Sequence, residues 1–191
     1  MFLGIDTSIG TALALLGESG EVLYEAQSSD TRAHAEVIGV FIEQALEVAD
    51  SHTASTGENL RGVVIGMGPG PFTGLRIGIA AGRALAFGRG IPYFGVCSHD
   101  AMADLGKVGT DVRRREHAVS HYDTSGVRIF GPTLIQNTEL AEDVHKLSEI
   151  SAINLARLGG YLAENPEQNI LTPFYLRDAD AVPQFKKEGG A

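Results

Sequence analysis

The stretch GMGPGPFTGLRIG, residues 66–78, places five glycines and two prolines where an apolar strand hands over to a helix. Glycine tolerates positive φ and close approach, proline presets φ for a turn, and the first helical turn leaves unpaired N–H groups that attract anions. The strand is read over Arg61 to Met67, around the apolar run Val63, Val64 and Ile65, and the helix over Pro71 to Gly88. A Walker phosphate loop is excluded. It needs Lys and then Ser or Thr after its last glycine, whereas Leu75 and Arg76 follow Gly74. Two readings of the turn stay open. Either the N–H groups around Gly70 to Thr73, with the Thr73 hydroxyl, hold a phosphate or a partner's carboxylate, or the turn only joins two packed elements.

Within the helix, Gly74, Gly78 and Gly82 recur every four residues among Ala80, Ala81, Ala84 and Ala86. Each interior glycine costs about 1 kcal/mol against alanine, so the series gives up about 2 to 3 kcal/mol of helix propensity. A stripe of small residues offsets that loss by letting another backbone come near, either the chain's own sheet or a helix of a second subunit. Arg76 and Arg83 share a face that meets water or a partner. A second helix is expected over His34 to Asp50, with Ser28, Ser29, Asp30 and Thr31 as capping candidates. Ile38, Phe41, Ile42, Ala45, Leu46 and Ala49 follow helical spacing, and Val37, Val40 and Val48 widen that face, so the helix is either deeply buried or meets a partner. His34 reads as a cap or solvent contact before it reads as a ligand.

Upstream, Met1 to Asp6, Thr11 to Leu16 and Glu21 to Gln27 read as three strands of an antiparallel meander, with a turn over Gly17 to Gly20. Asp6, Thr7, Ser8 and Gly10, at the end of the first strand, resemble the metal and phosphate contacts of the sugar kinase, Hsp70 and actin superfamily. Asp6, Thr7, Ser8, Gly70 and Thr73 are therefore the candidate phosphate contacts. Ile91 to Val96 reads as another buried strand and Ser98 to Leu105 as a short helix. This order fits one lobe of an α/β, actin-like (RNase H-like) fold with mixed sheets flanked by helices.

The second half is expected to open with a linker over Gly106 to Asp111, followed by a hairpin of His117 to Asp123 and Val127 to Phe130 around Thr124, Ser125 and Gly126. Ala141 to Ala163 is expected to contain a helix that Gly159 and Gly160 break, and Thr172 to Ala191 to form a proline-bounded tail, partly disordered at KKEGGA. The division expected is 1–105 for an N-terminal lobe and 106–191 for a shortened C-terminal lobe and tail.

With 191 residues and 43% apolar content the chain can build a core, and no span reads as crossing a membrane or as an export signal, so a soluble cytoplasmic protein is expected. Fifteen Lys and Arg against 24 Asp and Glu give a net charge of −9. Polyanion binding needs clustered cations, and the one dense run is Arg113, Arg114 and Arg115, so tRNA is not held by this chain alone. That run reads first as an edge-strand or surface face and second as an anion or partner contact. Cys97 follows a buried strand and reads as an inert core thiol. Neither a GxSxG elbow nor an HExxH pair is present. His117 and His121 would share one face of a strand, about 7 Å apart, with nothing obvious to complete a metal site.

The segments GMGPGPFTGLRIGIAAGRALA, LGIDTS, RAHAEVIGVFIEQAL, DVRRREH and PFYLRDADAVP together resemble the TsaB family, also called YeaZ. The resemblance covers the first hundred residues closely and returns at the tail. It implies a non-catalytic scaffold in the bacterial machinery that places N6-threonylcarbamoyl on adenosine 37 of tRNAs reading ANN codons. It also implies a TsaD-type transferase and a TsaE-type ATPase as partners, tRNA reached only through the complex, and a homodimer when the chain is alone. No cofactor is intrinsic, and ATP or ADP is expected at the partner interface. TsaD carries two metal-binding histidines spaced HxxxH, and an ungapped alignment places Ser98 and Met102 there. His99 and Asp100 point apart on a helix and do not rebuild the site, so no residue is assigned to a metal or to catalysis. The implied docking surface is the two long helices, through His34, Ile38, Phe41, Ile42 and Ala45 of the first and Phe72, Leu75, Arg76, Gly78, Ile79, Gly82 and Arg83 of the second. A glycoprotease-like or sugar-kinase-like enzyme and a nucleotide-sensing module are the alternatives.

Overall fold

The computed structural model describes residues 1–176. Strands β1 (Phe2–Asp6), β2 (Thr11–Leu16) and β3 (Val22–Ser28) form the antiparallel meander, and β4 (Gly62–Gly66) and β5 (Tyr93–Val96) add to it in parallel. The resulting five-stranded sheet runs β3-β2-β1-β4-β5. Helix α1 (His34–Thr56) carries the chain from the edge strand β3 across to β4, and α2 (Phe72–Arg89) makes the crossover between the parallel neighbours β4 and β5. This is the α/β, actin-like lobe read from the sequence.

Alternation along the strands sends Leu3, Ile5, Leu13, Leu15, Val63 and Ile65 into one buried cluster with Ile38, Ala45, Leu75 and Ile79 from α1 and α2. The other face, with Ala12, Ala14 and Val64, is covered by α3 (Ala152–Glu164), whose Leu155 and Ala156 are buried. That helix comes close because β1 has Gly4 at the crossing, where an added Cβ would lie 2.8 Å from Ala156 N.

A second, four-stranded sheet runs β8-β7-β6-β9, built from β6 (Lys107–Asp111), β7 (Glu116–Tyr122), β8 (Arg128–Gln136) and β9 (His145–Lys146). Several expectations are corrected here. The stretch expected as a linker is β6. Its Val108 and Thr110 are buried and its whole length pairs with β7, although Gly106, Lys107 and Gly109 give it the composition of a loop. Arg113 to Arg115 are exposed, as the surface reading has it, but form the turn after β6 and no edge strand, and all three hold positive φ of 68°, 57° and 62°. Gly159 and Gly160 do not break α3, which continues to Glu164 because Gly159 receives the Phe2 ring, its absent Cβ leaving the space. Ser98–Leu105 is a 3-10 helix kinked at Met102, and α1 runs past Asp50 to Thr56, where Gly57 at φ 80° ends it.

The change of sheet falls near the expected boundary at 105, but α3 returns to β1 and β2, and Ile170 N donates to Gly95 O at 2.8 Å. The C-terminal half thus both builds its own sheet and, through α3, completes the core of the first. The expectation of a disordered end lies outside the described residues. No helix among the described residues is long and apolar enough to cross a membrane.

Candidate functional site

β1 has an antiparallel neighbour on one side and a parallel one on the other, so the chain leaving its C-terminal end opens a crevice at the point where strand order reverses. Asp6 ends that strand. Its Oδ1 accepts the Ser8 N–H at 2.7 Å and the Ser8 hydroxyl at 2.5 Å, and its Oδ2 accepts the Ser98 hydroxyl at 2.5 Å. Ser98 Oγ in turn accepts the Gly68 N–H at 3.1 Å. Burial raises the Asp6 pKa, against the lowering effect of these donors.

Thr7 performs a different task. Its hydroxyl donates to Gly74 O at 2.7 Å and accepts the Gly78 N–H at 3.1 Å, bridging the two ends of one i, i+4 helical step. Asp6, Thr7 and Ser8 are 2%, 1% and 0% exposed, with their polar atoms engaged inside the chain. Of the five candidate phosphate contacts, these three are thus structural supports. The small turn closes over them, leaving an added Cβ at Gly70 only 2.7 Å from Ser8 Cα. Gly70 and Thr73 remain accessible, in the wall of a cleft of about 470 Å³.

Arg113 and Arg114 line the same cleft from the turn after β6. Nothing in the sequence places these arginines, forty residues downstream, opposite the start of α2. His34 lies on the floor with Nδ1 2.8 Å from Thr11 Oγ1, and burial lowers its pKa, favouring the neutral imidazole. At the rim the Phe72 and Tyr175 rings meet with centroids 4.8 Å apart, and the Arg76 guanidinium lies 3.7 Å above Phe72. The cleft can therefore offer cations, helix N–H groups and aromatic faces to one ligand.

The twelve residues assigned to docking divide by direction. His34, Ile38, Ala45, Leu75, Gly78, Ile79 and Gly82 are buried within the chain, which corrects their assignment as direct contacts. The glycine stripe faces the chain's own sheet and loop: added Cβ atoms would lie 2.7 Å from Thr7 O at Gly74, 2.9 Å from Thr7 Cγ2 at Gly78 and 2.7 Å from Ile65 Cδ1 at Gly82. Phe72 and Arg76 are exposed, and Phe41, Ile42 and Arg83 half-buried. The outward surface has its own small or apolar positions, Val40 at 49% exposure, Ala80, Ala84, and Phe87 at 90%. The four-residue spacing of Ala80 and Ala84 was the available signal for that face, hidden beside the more conspicuous glycines.

The other titratable candidates are held individually. His99 is buried with Nδ1 2.8 Å from Ser120 Oγ and Nε2 2.8 Å from Thr110 Oγ1, and burial pushes its pKa down to about 3. Asp100 accepts the Tyr122 hydroxyl at 2.8 Å and faces Arg128. His117 meets Asn137, whereas His121 lies against the Phe130 ring. Burial pushes the Cys97 thiol up to about 12, which agrees with an inert thiol.

A family model described as TsaD, tRNA N6-adenosine threonylcarbamoyltransferase, matches residues 21–150. An uncharacterized protein of Mycobacterium tuberculosis is 40% identical over 143 residues, covering 69% of this chain and 63% of the relative. A tRNA N6-adenosine threonylcarbamoyltransferase of Desulfitobacterium hafniense is 34% identical over 106 residues, 49% of this chain and 31% of that protein. The chain thus spans less than two thirds of the length of these relatives. Among solved structures, YeaZ from Pseudomonas aeruginosa superposes with a TM-score of 0.61 at 18% identity, covering 88% of this chain and 95% of that one. A second, described as an uncharacterized protein with similarity to peptidase YeaZ from the same organism, gives 0.64 at 20% identity, covering 92% and 99%.

Proposed function

Because the chain belongs to the TsaD family and has the fold of YeaZ, we propose that it serves tRNA threonylcarbamoylation as a non-catalytic, TsaB-type subunit that docks a TsaD-type transferase. The observation that carries this reading is the use made of the two positions aligned with the transferase's metal histidines. Ser98 is spent on Asp6 and Gly68, and the Met102 sulfur accepts the Ser151 N–H at 3.5 Å. Neither side chain offers a hard or borderline metal an imidazole. Docking then uses the outward faces of α1 and α2, through Val40, Arg76, Ala80, Ala84 and Phe87, and the same surface pairs two copies when the transferase is absent. A TsaE-type ATPase, ATP or ADP at the interface, tRNA reached through the complex, and a cytoplasmic location belong to the same reading.

Light scattering after size exclusion, on the chain alone and mixed with the TsaD-type transferase of its own organism, tests it. A homodimer that converts to a mixed complex is expected, with modification of tRNA by the reconstituted set and none by this chain alone. Ala84→Arg, at an exposed helical position that tolerates Arg, should abolish association while leaving the fold intact. A chain that ignores the transferase, or that modifies tRNA or turns over ATP by itself, overturns the reading in favour of an enzyme. The cleft beside Arg113 favours a second reading, a nucleotide-sensing module, for which titration of the isolated chain with ADP is the test.

A further inference from the structure

At the N-terminal end of β1, away from Asp6, three elements bring Glu21, His52 and Glu58 together. Glu21 precedes β3, His52 sits near the C-terminal end of α1, and Glu58 follows the left-handed Gly57 that turns the chain back. One ligand atom from each lies within 4.8 Å of the other two. The His52 and Glu58 side chains are only 18% and 14% exposed, with Nε2 2.6 Å from Oε2. Surrounding donors fix the carboxylates: Ser19 Oγ donates to Glu21 Oε2 at 2.5 Å, and the Glu18 N–H donates to Glu58 Oε1. Thr53 Oγ1 donates to Glu58 O at 2.6 Å, which ties that residue to α1. A hollow of about 530 Å³ opens beside Glu18, Glu21 and Glu58, with room for the waters of an ion.

We propose that Glu21, His52 and Glu58 form a binding site for a borderline divalent ion of the Zn²⁺ class. One imidazole and two carboxylates suit such an ion, and bonds of about 2.1 Å separate its neighbouring donors by about 3.0 to 3.4 Å. The His52 to Glu58 spacing needs to open only slightly to accept it. The wider spacing closes by rotation of the exposed Glu21 side chain, whose Oε2 accepts from Ser19 Oγ and whose Oε1 turns toward the ion. The ion clamps the β2–β3 turn to the end of α1. The α-amino group of Met1 lies 3.5 Å from Glu58 Oε1, so Oε2, the oxygen facing His52, is the one given to the ion.

The site is independent of the docking reading, so its test is direct. The full chain, stripped with chelator, is titrated with ZnCl₂ against a chromophoric indicator at neutral pH. One equivalent is expected to bind, weakened at least about tenfold in both Glu21→Gln and His52→Ala and unchanged in His117→Ala. Glu21→Gln alters only an exposed side chain and keeps the test valid should His52→Ala fail to fold. A wild-type chain that takes up no Zn²⁺, or variants that bind as tightly as wild type, overturns the proposal.

Discussion

Replacing Gly78 by Ala and Gly39 by Ala applies one chemical change to two helix interiors, and the structure assigns the two opposite signs. Helix propensity alone favours Ala at both by about 1 kcal/mol. At Gly39, in the second turn of α1, an added Cβ meets nothing within 4 Å, so the full gain is expected. For a chain of this size that raises Tm by about 2 to 4 °C. At Gly78 the new Cβ would lie 2.9 Å from Thr7 Cγ2 and 3.1 Å from Thr7 Cβ, closer than the roughly 3.5 to 4.0 Å of unstrained carbon contacts. Thr7 cannot swing aside freely. It is buried, and rotating it breaks bonds to Gly74 O and Gly78 N, worth about 0.5 to 1.5 kcal/mol each. Overpacking of this kind costs about 1 to 3 kcal/mol, which cancels or outweighs the propensity gain and leaves Gly78→Ala about 0 to 2 kcal/mol less stable than wild type. The assay is urea unfolding followed by far-ultraviolet circular dichroism, since the chain has no tryptophan. In a Thr7→Ala background the penalty at Gly78 should shrink by about 1 kcal/mol, because the nearest atoms, Thr7 Oγ1 and Cγ2, are gone and only Cβ remains. A Gly78→Ala chain as stable as Gly39→Ala would refute the account of the glycine stripe as an inward contact.

His99 and Cys97 supply further tests. The folded-state pKa of His99 lies near 3, below the ordinary 6.5, so the unfolded chain binds the extra proton first and stability is lost as pH falls through that window. The loss approaches about 1.4 kcal/mol per pH unit. His99→Gln should flatten the acid side of the stability profile measured by urea unfolding, and an unchanged slope would show that another group carries it. The Cys97 thiol, buried and pushed up to about 12, should resist a thiol-specific reagent at pH 8 until the chain unfolds, with native labelling at the rate of a free thiol as the contrary result.

The elements legible in the sequence were those whose burial follows a single period. β1, β2, β4 and β5 carry continuous apolar runs, and α1 and α2 repeat apolar residues at helical spacing, so the elements and their order are legible in the residues alone. β6 escaped because only Val108 and Thr110 face inward, and Gly109 between them meets Val144 where a larger side chain has no space. The place of α3 escaped for a different reason. Its amphipathic pattern announces a helix but says nothing of which sheet it covers, and that choice is set by Gly4, Ala12 and Ala14 more than a hundred residues away. The turn at Arg113 to Arg115 was illegible too, since three successive non-glycine residues with positive φ run against local preference.

The glycine series carries the more general lesson about reading helices for partners. Both explanations of a small-residue stripe predict the same sequence, because a sheet and a partner helix make the same demand for close approach. What separates them is the occupant, and here Thr7 fills the space at Gly78 while Ile65 fills it at Gly82. An inward stripe cannot also serve as the docking surface, so the proposed docking falls to the face a quarter-turn or more away, with Ala80 and Ala84. That surface is available only because the inward glycines let α2 sit low on the sheet, with Thr7 holding its first turn in place. The glycines that looked like the contact are thus the support of the face proposed for docking, and substitutions at Gly78 and at Ala84 should be separable, the first read in stability and the second in association.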